Sequence, residues 1–440
     1  MAGRRRRSRK AAPVHTRHLL RTTLIAGLLK LAGIFLAFVF LLVAARASTD
    51  AEYGVFAAAF SLATILGFAF TGGQHLAVLR FWPALDEAQG RGAADAALRW
   101  SLRRTALACG LGGGALALIC LAAAGLERPA PAIMQAPLAL GAMTVAFALS
   151  EVAQAALRAR GSVVLALSGR EIGWRVLAIA GILGLGTLTG ATLLWLAAAT
   201  LAVVSTAQLA GLVWTLAPDR ALPPEDRQSM ARTSGWLWAG ATAGPLGSHC
   251  GTVVVALTLG PAAAGAYFAA DRIAKLLSIA LIAVNQAMAP VLSREFHAGR
   301  IEAVGRLMTL GAVMAGGIAI CGGLVLAAAG PFALGLFSDS YRAAFPALAF
   351  LILGQVVNTL CGPNAMLLNM AGLEKQGTLV LGAWSVAAPA LVGLGATTGG
   401  LTGAAAAAAV AMAGWNLNVL WICHARLGIL PWSTRRLRAG

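Results

Sequence analysis

The sequence predicts an all-α integral membrane protein: twelve transmembrane helices in two six-helix bundles, related by a pseudo-two-fold axis along the membrane normal. Three observations carry this prediction. Of 440 residues, 59% are hydrophobic and 11% charged, with a mean hydropathy of +0.79, where a soluble domain is about half apolar and a quarter charged. Twelve runs between charged or Pro/Gly-marked breaks reach the ~20 mostly apolar residues that a helix needs to cross hydrocarbon. Of the 34 Lys and Arg, 26 fall in alternate segments between those runs and only Arg46, Arg128 and Arg342 in the others, the bias that the positive-inside rule describes.

Taken in chain order, the arm 1–21 opens with MAGRRRRSRK and leads straight into the first run, 22–45. Its nearest partner is anionic lipid rather than nucleic acid. The small-residue pattern AARA at 44–47 has the look of a signal-peptide cleavage site, but the apolar stretch before it exceeds the usual 7–15 residues, so the run is read as an uncleaved first helix. The runs 53–79, 105–125, 137–157, 163–187 and 191–216 complete the N-terminal bundle, 22–216. The run 163–187 carries Arg170, Glu171 and Arg175 and is the most polar of these. The linker APDRALPPEDRQSMART, 217–233, is rich in Pro and charge and joins the bundles. The C-terminal bundle, 234–424, holds the runs 234–258, 264–289, 307–329, 343–369, 378–396 and 402–424, and a basic tail, 425–440, follows. The charge bias places both termini in the cytoplasm.

Several chemistries are excluded. Cys109, Cys120, Cys250, Cys321, Cys361 and Cys423 all lie in apolar runs without C-x-x-C spacing and read as packing residues, neither a disulfide frame nor a metal site. The six histidines make no i, i+4 ligand pair, and there is no G-x-x-x-x-G-K-[ST] loop for nucleotide phosphates. GLGTLTG at 184–190 has the wrong glycine spacing for a dinucleotide site and ends a run. No constellation supports covalent catalysis, so the chain reads as a non-enzyme with neither metal nor cofactor.

An internal repeat supports the two-bundle arrangement. A shift of 211 residues lays EYGVFAAAFSLATIL (52–66) on AAGAYFAADRIAKLL (263–277), so that Gly54 meets Gly265, Phe56 meets Tyr267, and Gln74 and His75 meet Asn285 and Gln286. Six runs separate the copies, an even number. Both halves therefore enter the membrane from the same side, as parallel repeats do, with the path between them.

The ionisable residues inside the runs need a reason. Lys30, Arg170, Arg175, Arg272 and Lys275 are the intramembrane cations, with Glu171 and Asp271 as acids. A charge at mid-bilayer costs at least ~2.5 kcal/mol and faces a hydrated path or a partner. Arg272 and Lys275 are i, i+3 neighbours on one helix face, and Asp271 is i, i+4 to Lys275. The alternative is that Arg272 and Lys275 snorkel to the interface while Asp271 pairs with Lys275. Lys30 is too deep for an easy snorkel. Gln74, Asn285, Gln286 and Asn358 are polar enough to line a glycan path, or equally to hydrogen-bond between helices.

STDAEYGVFAAAFSL in the second run, GAYFAADRIAKLL continuing to NQAMAPVLSREF in the eighth, and LGQVVNTLCGPNAMLLNMAGLEK in the tenth resemble the bacterial oligosaccharide (polysaccharide repeat-unit) flippases of the multidrug/oligosaccharidyl-lipid/polysaccharide exporter superfamily. Arg272, Pro290, Arg294, Gln355, Asn358, Gly362, Pro363 and Gly372 stand at matching places; Asp271 departs, standing where that family more often has an aromatic residue. The resemblance implies a V-shaped pair of bundles in the bacterial inner membrane. Its substrate would be a lipid-linked oligosaccharide on a polyprenyl diphosphate, moved to the outer leaflet for an exopolysaccharide or O-antigen. A polysaccharide polymerase and glycosyltransferases would be its protein partners. A diphosphate fits the charges, because Arg grips phosphate oxygens bidentately and Lys adds a point charge. The candidate substrate residues are Lys30, Arg175, Arg272, Lys275, Asp271, Gln74, Asn285, Gln286 and Asn358. A cation-coupled multidrug antiporter of the same superfamily is the alternative, and would call for more intramembrane acids. A peptidoglycan-precursor flippase is a further one, whose relatives carry two more C-terminal helices.

The charge bias makes a topological prediction: reporters fused after residue 48 and near 188 read as external, and those near 90, 225 and 440 as cytoplasmic. A cytoplasmic signal at 188 would mean that the run 163–187 does not span.

Overall fold

The computed structural model describes residues 16–124, 137–218 and 221–430. The first fifteen residues of the basic arm, Arg128, the centre of the linker and the tail from 431 lie outside the described residues. The described chain is helical: α1 Thr16–Arg46, α2 Asp50–Phe70, α3 Gln74–Gln89, α4 Arg91–Ala124, α5 Pro137–Ala159, α6 Val163–Leu167, α7 Trp174–Leu185, α8 Gly190–Trp214, α9 Pro224–Thr258, α10 Pro261–Lys275, α11 Ser278–His297, α12 Ile301–Gly335, α13 Phe345–Leu360, α14 Asn364–Met370 and α15 Glu374–Leu427. A π-helical turn, Ser168–Gly173, joins α6 to α7, and a 3₁₀ turn, Asp339–Ala344, leads into α13. Local chemistry starts several helices. Thr49 Oγ1 accepts from the Glu52 amide and Thr189 Oγ1 from the Thr192 amide, capping α2 and α8, and α10 begins on Pro261, whose fixed φ suits a first turn.

Among the described residues, eight stretches are long and apolar enough to cross a bilayer by length and composition. They include α1, α5, α8, α12, the pairs α2–α3, α10–α11 and α13–α14, and α15. The twelve runs expected from the sequence exceed this number for identifiable reasons. α4 and α9, which carry the runs 105–125 and 234–258, are not among the eight, and the run 163–187 is broken by the π turn, leaving α7 with 12 residues. The runs 378–396 and 402–424 are one 54-residue stretch in which Gly399 and Gly400 leave helical geometry. There the chain folds back: a Cβ on Gly395 would strike Gly403, and a Cβ on Gly414 would strike the Trp384 ring, so α15 is an antiparallel hairpin of two arms.

The repeat seen in the sequence is present in space. At the 211-residue offset α1 falls on α9, α3 on α11, α4 on α12, α5 on α13 and α14, and α8 on the second arm of α15. α2 and α10 cross at their N-terminal ends by reciprocal contacts. A Cβ on Gly54 would drive into the Pro261 carbonyl, and one on Gly265 would lie 3.2 Å from the Asp50 carbonyl and meet the Tyr341 hydroxyl. Asp50 and Pro261 are themselves 211 residues apart.

This end of the molecule is sealed. Tyr53, Phe56, Phe268 and Phe337 are fully buried there, with Tyr53 and Phe268 rings 6.3 Å apart, and Arg46 Nη2 donates to the Gly335 carbonyl at 2.8 Å. Towards the opposite end the halves are not equivalent. α2 packs tightly on α9, with Trp238 Nε1 donating to the Ala69 carbonyl at 2.8 Å, whereas the repeat-related pair, α10 and α1, scarcely touch. One flank is closed and the other is open.

The crossing generates a prediction. Gly54→Val and Gly265→Val each force α2 off α10, an overpacking cost of about 1–3 kcal/mol, and lower the thermal midpoint of the purified protein in detergent. Gly305→Val, where a Cβ meets nothing within 4 Å, leaves it near wild type. Equal midpoints for all three would remove the crossing as the closest joint between the halves.

Candidate functional site: two cavities on either side of α10

Arg272 projects from the last turn of α10 and stacks on Phe268, its guanidinium carbon 4.5 Å from the ring centroid. Its Nη2 donates to His249 Nδ1 at 3.0 Å, while its Nε makes no hydrogen bond and lies 3.8 Å from Asp271 Oδ2, an ion pair without a bond. A buried orphan donor on a guanidinium is costly and marks a place where a ligand or water belongs. Arg272 shares a cavity of about 270 Å³ with Arg170, Arg175, Phe40, Phe60, Thr64, Phe68, Phe147, Trp174 and His249. No carboxylate lines it.

The two arginines of the N-terminal half are set by the π turn, an irregularity common at functional sites. Arg170 donates to Ser150 Oγ at 2.8 Å and is ion-paired with Glu151 on α5. Arg175 is ion-paired with Glu171 at 3.2 Å, and the Glu171 side chain closes on Gly33 of α1 so tightly that a Cβ there would collide. Arg170 lies over Phe147 and Arg175 over Trp174, at 5.6 and 5.1 Å. The carboxylates thus brace the arginines from behind, and the cavity wall presents guanidinium edges and aromatic faces. Removing one partner of such a buried pair costs about 3–5 kcal/mol, so Arg170 and Glu151 are bound to each other's presence.

A second cavity, of about 320 Å³, lies within the C-terminal half. Asp271, Lys275, Gln355, Asn358, Tyr267, Ser248, Ser385, Trp384 and Trp415 are in its wall. Lys275 Nζ donates to Asp271 Oδ2 at 2.7 Å and to the Ser248 carbonyl at 2.8 Å. The two cavities occupy repeat-related positions: at the 211-residue offset Phe60, Thr64, Phe147 and Trp174 of the first become Asp271, Lys275, Asn358 and Ser385 of the second.

The residues expected to share one path are therefore divided. Arg175 and Arg272 meet in the first cavity, and Asp271, Lys275 and Asn358 in the second. Arg272 and Lys275, though i, i+3, look into different spaces with Asp271 between them, its Oδ2 2.7 Å from the ammonium and 3.8 Å from Arg272 Nε. Lys30 is exposed on α1, and Gln74, Asn285 and Gln286 line neither cavity. Gln74 is buried, its amide donating to the Gly72 carbonyl at 3.4 Å. Glu151, inside the run 137–157, is a third intramembrane acid beyond the two expected from the sequence, and it was not legible as a partner: it sits 19 positions from Arg170 with no helical spacing to connect them. Trp384 and Trp415 belong to no motif that marks them in the sequence.

No known protein family matches the chain by sequence, and no curated protein does. Solved structures do match. An inward-facing multidrug resistance MATE family transporter of the MOP superfamily superposes with a TM-score of 0.67 at 16% identity, over 92% of this chain and 96% of that one. An outward-facing conformation of a multidrug resistance MATE family transporter of that superfamily gives 0.61 at 15%, over 95% and 99%. A MOP superfamily transporter from Pyrococcus furiosus gives 0.59 at 13%, over 95% and 99%. At these identities the likeness establishes the fold: the chain is an all-helical, multi-pass membrane protein with the fold of the MOP superfamily transporters.

Proposed function

We propose that this protein is a flippase that carries a polyprenyl-diphosphate-linked oligosaccharide from the inner to the outer leaflet of a bacterial cytoplasmic membrane, for surface polysaccharide synthesis. In this reading twelve spans form two six-helix bundles, 22–216 and 234–424, about an axis along the membrane normal, with both termini cytoplasmic. The carrying observation is the convergence of Arg170, Arg175 and Arg272 in one cavity that no carboxylate lines among the described residues, with the buried Arg272 Nε–H making no hydrogen bond and only a 3.8 Å ion pair to Asp271. Such a wall suits an anion with several oxygens, since guanidinium forks match phosphate geometry.

The open flank supports a lipid-borne anion. Drawing a polyprenyl tail into water costs about 0.8 kcal/mol per CH₂, so the tail must stay in the bilayer while the head passes, and the path needs a slit along its side. The gap between α10 and α1 is such a slit, and both helices line the arginine cavity. The aromatic seal at the Tyr53 end then corresponds to the outer face, and the cavity accepts its cargo from within.

The multidrug antiporter remains the second reading, favoured by the multidrug transporters among the structures of like fold. A cationic drug needs free carboxylates, and here Glu151, Glu171 and Asp271 are each held by an arginine or a lysine. For the Pyrococcus furiosus transporter of like fold, reverse polarity of the binding pocket suggests a different function.

Deleting the gene is expected to abolish a surface polysaccharide and to accumulate its polyprenyl-diphosphate-linked unit in the inner leaflet. Persistence of the glycan with a rise in drug sensitivity would establish the antiporter instead. Arg272→Ala and Arg175→Ala each lose charge-assisted bonds of about 1.5–3 kcal/mol, and lower glycan export roughly tenfold or more per membrane-inserted protein. Arg272→Lys falls between, keeping charge without the fork. Wild-type export by the Arg175→Ala, Arg272→Ala double variant would overturn the arginine cavity as the diphosphate site.

A further inference from the structure

We infer that the cavity of the C-terminal half is a subsite for a neutral sugar, the place where the first residue of the glycan is held while the arginine cavity holds the diphosphate. This rests on the flippase reading and gives the substrate its second point of attachment.

The argument begins with charge. Asp271 and Lys275 are the only ionisable side chains of opposite sign in the cavity wall, and they are bonded to each other at 2.7 Å. An anionic ligand on Lys275 would lie against the Asp271 carboxylate, and a cationic one would have to take Asp271 from both Lys275 and Arg272, whose Nε is 3.8 Å away. A neutral ligand disturbs neither. The twin cavity, to which both halves contribute, has aromatic or hydroxyl side chains at the equivalent positions and takes its charge from Arg170, Arg175 and Arg272, whose carboxylate partners do not line it. Equivalent places in the two halves are thus built for opposite kinds of ligand.

The rest of the wall suits a polyhydroxylated ring. Trp384 and Trp415 are half-buried, and the Trp384 ring is fixed by lying against Gly414, where a Cβ would collide with it. Neither indole N–H is hydrogen-bonded among the described residues. A sugar offers C–H faces to such rings and hydroxyls to amides. Gln355 is only 4% exposed, and its Oε1 accepts a long 3.4 Å bond from Asn358. Both amides therefore retain donors and acceptors for a ligand. Free amide capacity beside aromatic faces, in a largely apolar concavity, is the pattern of a small-ligand site.

Placement connects the two subsites. α10 is their common wall, with Arg272 on one side and Asp271 and Lys275 on the other, and on α9 the neighbours Ser248 and His249 divide in the same way. Arg272 Nε lies 3.8 Å from Asp271 Oδ2, which is in the wall of the tryptophan cavity, so one side chain divides the two spaces, a span that the sugar attached directly to a diphosphate can cover.

The test compares two defined lipids on the purified full chain in nanodiscs: undecaprenyl diphosphate, and the same lipid bearing a single N-acetylhexosamine. Wild type is expected to bind the sugar-bearing lipid about tenfold more tightly. Trp384→Ala and Trp415→Ala erase that advantage while binding of the bare lipid stays unchanged, and Trp384→Phe retains part of it. Unchanged bare-lipid binding also certifies that each variant is folded. Equal affinity of wild type for both lipids overturns the subsite, as does a parallel loss of both lipids in every tryptophan variant. Competition by tetraphenylphosphonium that disappears in Trp384→Ala would assign the cavity to organic cations and overturn it too. If neither lipid binds wild type, the flippase reading itself falls, a result distinct from equal binding of both.

Discussion

The crossing of α2 over α10 at Gly54 and Gly265 sets the distance between the halves of the molecule. Because each glycine lies on the other helix's first turn, no side chain separates the backbones, and close approach by small residues is how helices associate where lipid supplies no hydrophobic drive. Tyr53, Phe56 and Phe268 can then interlock around the joint, and Arg46 can reach the end of α12. A tight joint at one end and a looser contact below it permits two rigid bodies to rock. The mismatch between the closed α2–α9 flank and the open α10–α1 flank lies where such rocking would be felt.

Electrostatics in the interior follow one rule: each intramembrane carboxylate holds a cation. Glu151 takes Arg170, Glu171 takes Arg175, and Asp271 takes Lys275 closely and Arg272 at 3.8 Å. Pairing makes burial of these groups tolerable, since an isolated charge in a low-dielectric interior is prohibitive. What the pairs leave over matters for function. Arginine has five donors, so a guanidinium already braced by a carboxylate still offers N–H groups to the cavity. Lys275 instead directs its donors to Asp271 and a backbone carbonyl, and the space beside it is neutral.

Much of the fold was legible because the bilayer simplifies the problem. Backbone groups in hydrocarbon must bond within their own helix, so apolar runs translate directly into helices, and α1, α5, α8 and α12 lie where the runs placed them. Breaks were harder. The π turn at Ser168–Gly173 leaves no mark in the hydropathy and packs on α8, with Gly169 pressed against Gln208. The fold-back at Gly399–Gly400 was visible as a glycine pair, and the structure adds that the two arms lie against each other. At the site, the intramembrane charges drew attention to Arg175, Arg272, Asp271 and Lys275. Their division between two cavities was not readable, because it depends on which side of α10 Asp271 holds the lysine.

The sequence by itself determined a multi-pass helical protein, the 211-residue repeat and the residues that carry buried charge, for these depend on composition and local spacing, which a linear chain displays. Tertiary structure alone decided which arginine meets which carboxylate, that Trp384 and Trp415 line a cavity, and that repeat-related positions became chemically different spaces. Those outcomes arise from contacts between segments far apart in the chain, where the distance between partners is set by helix packing and not by their separation in sequence.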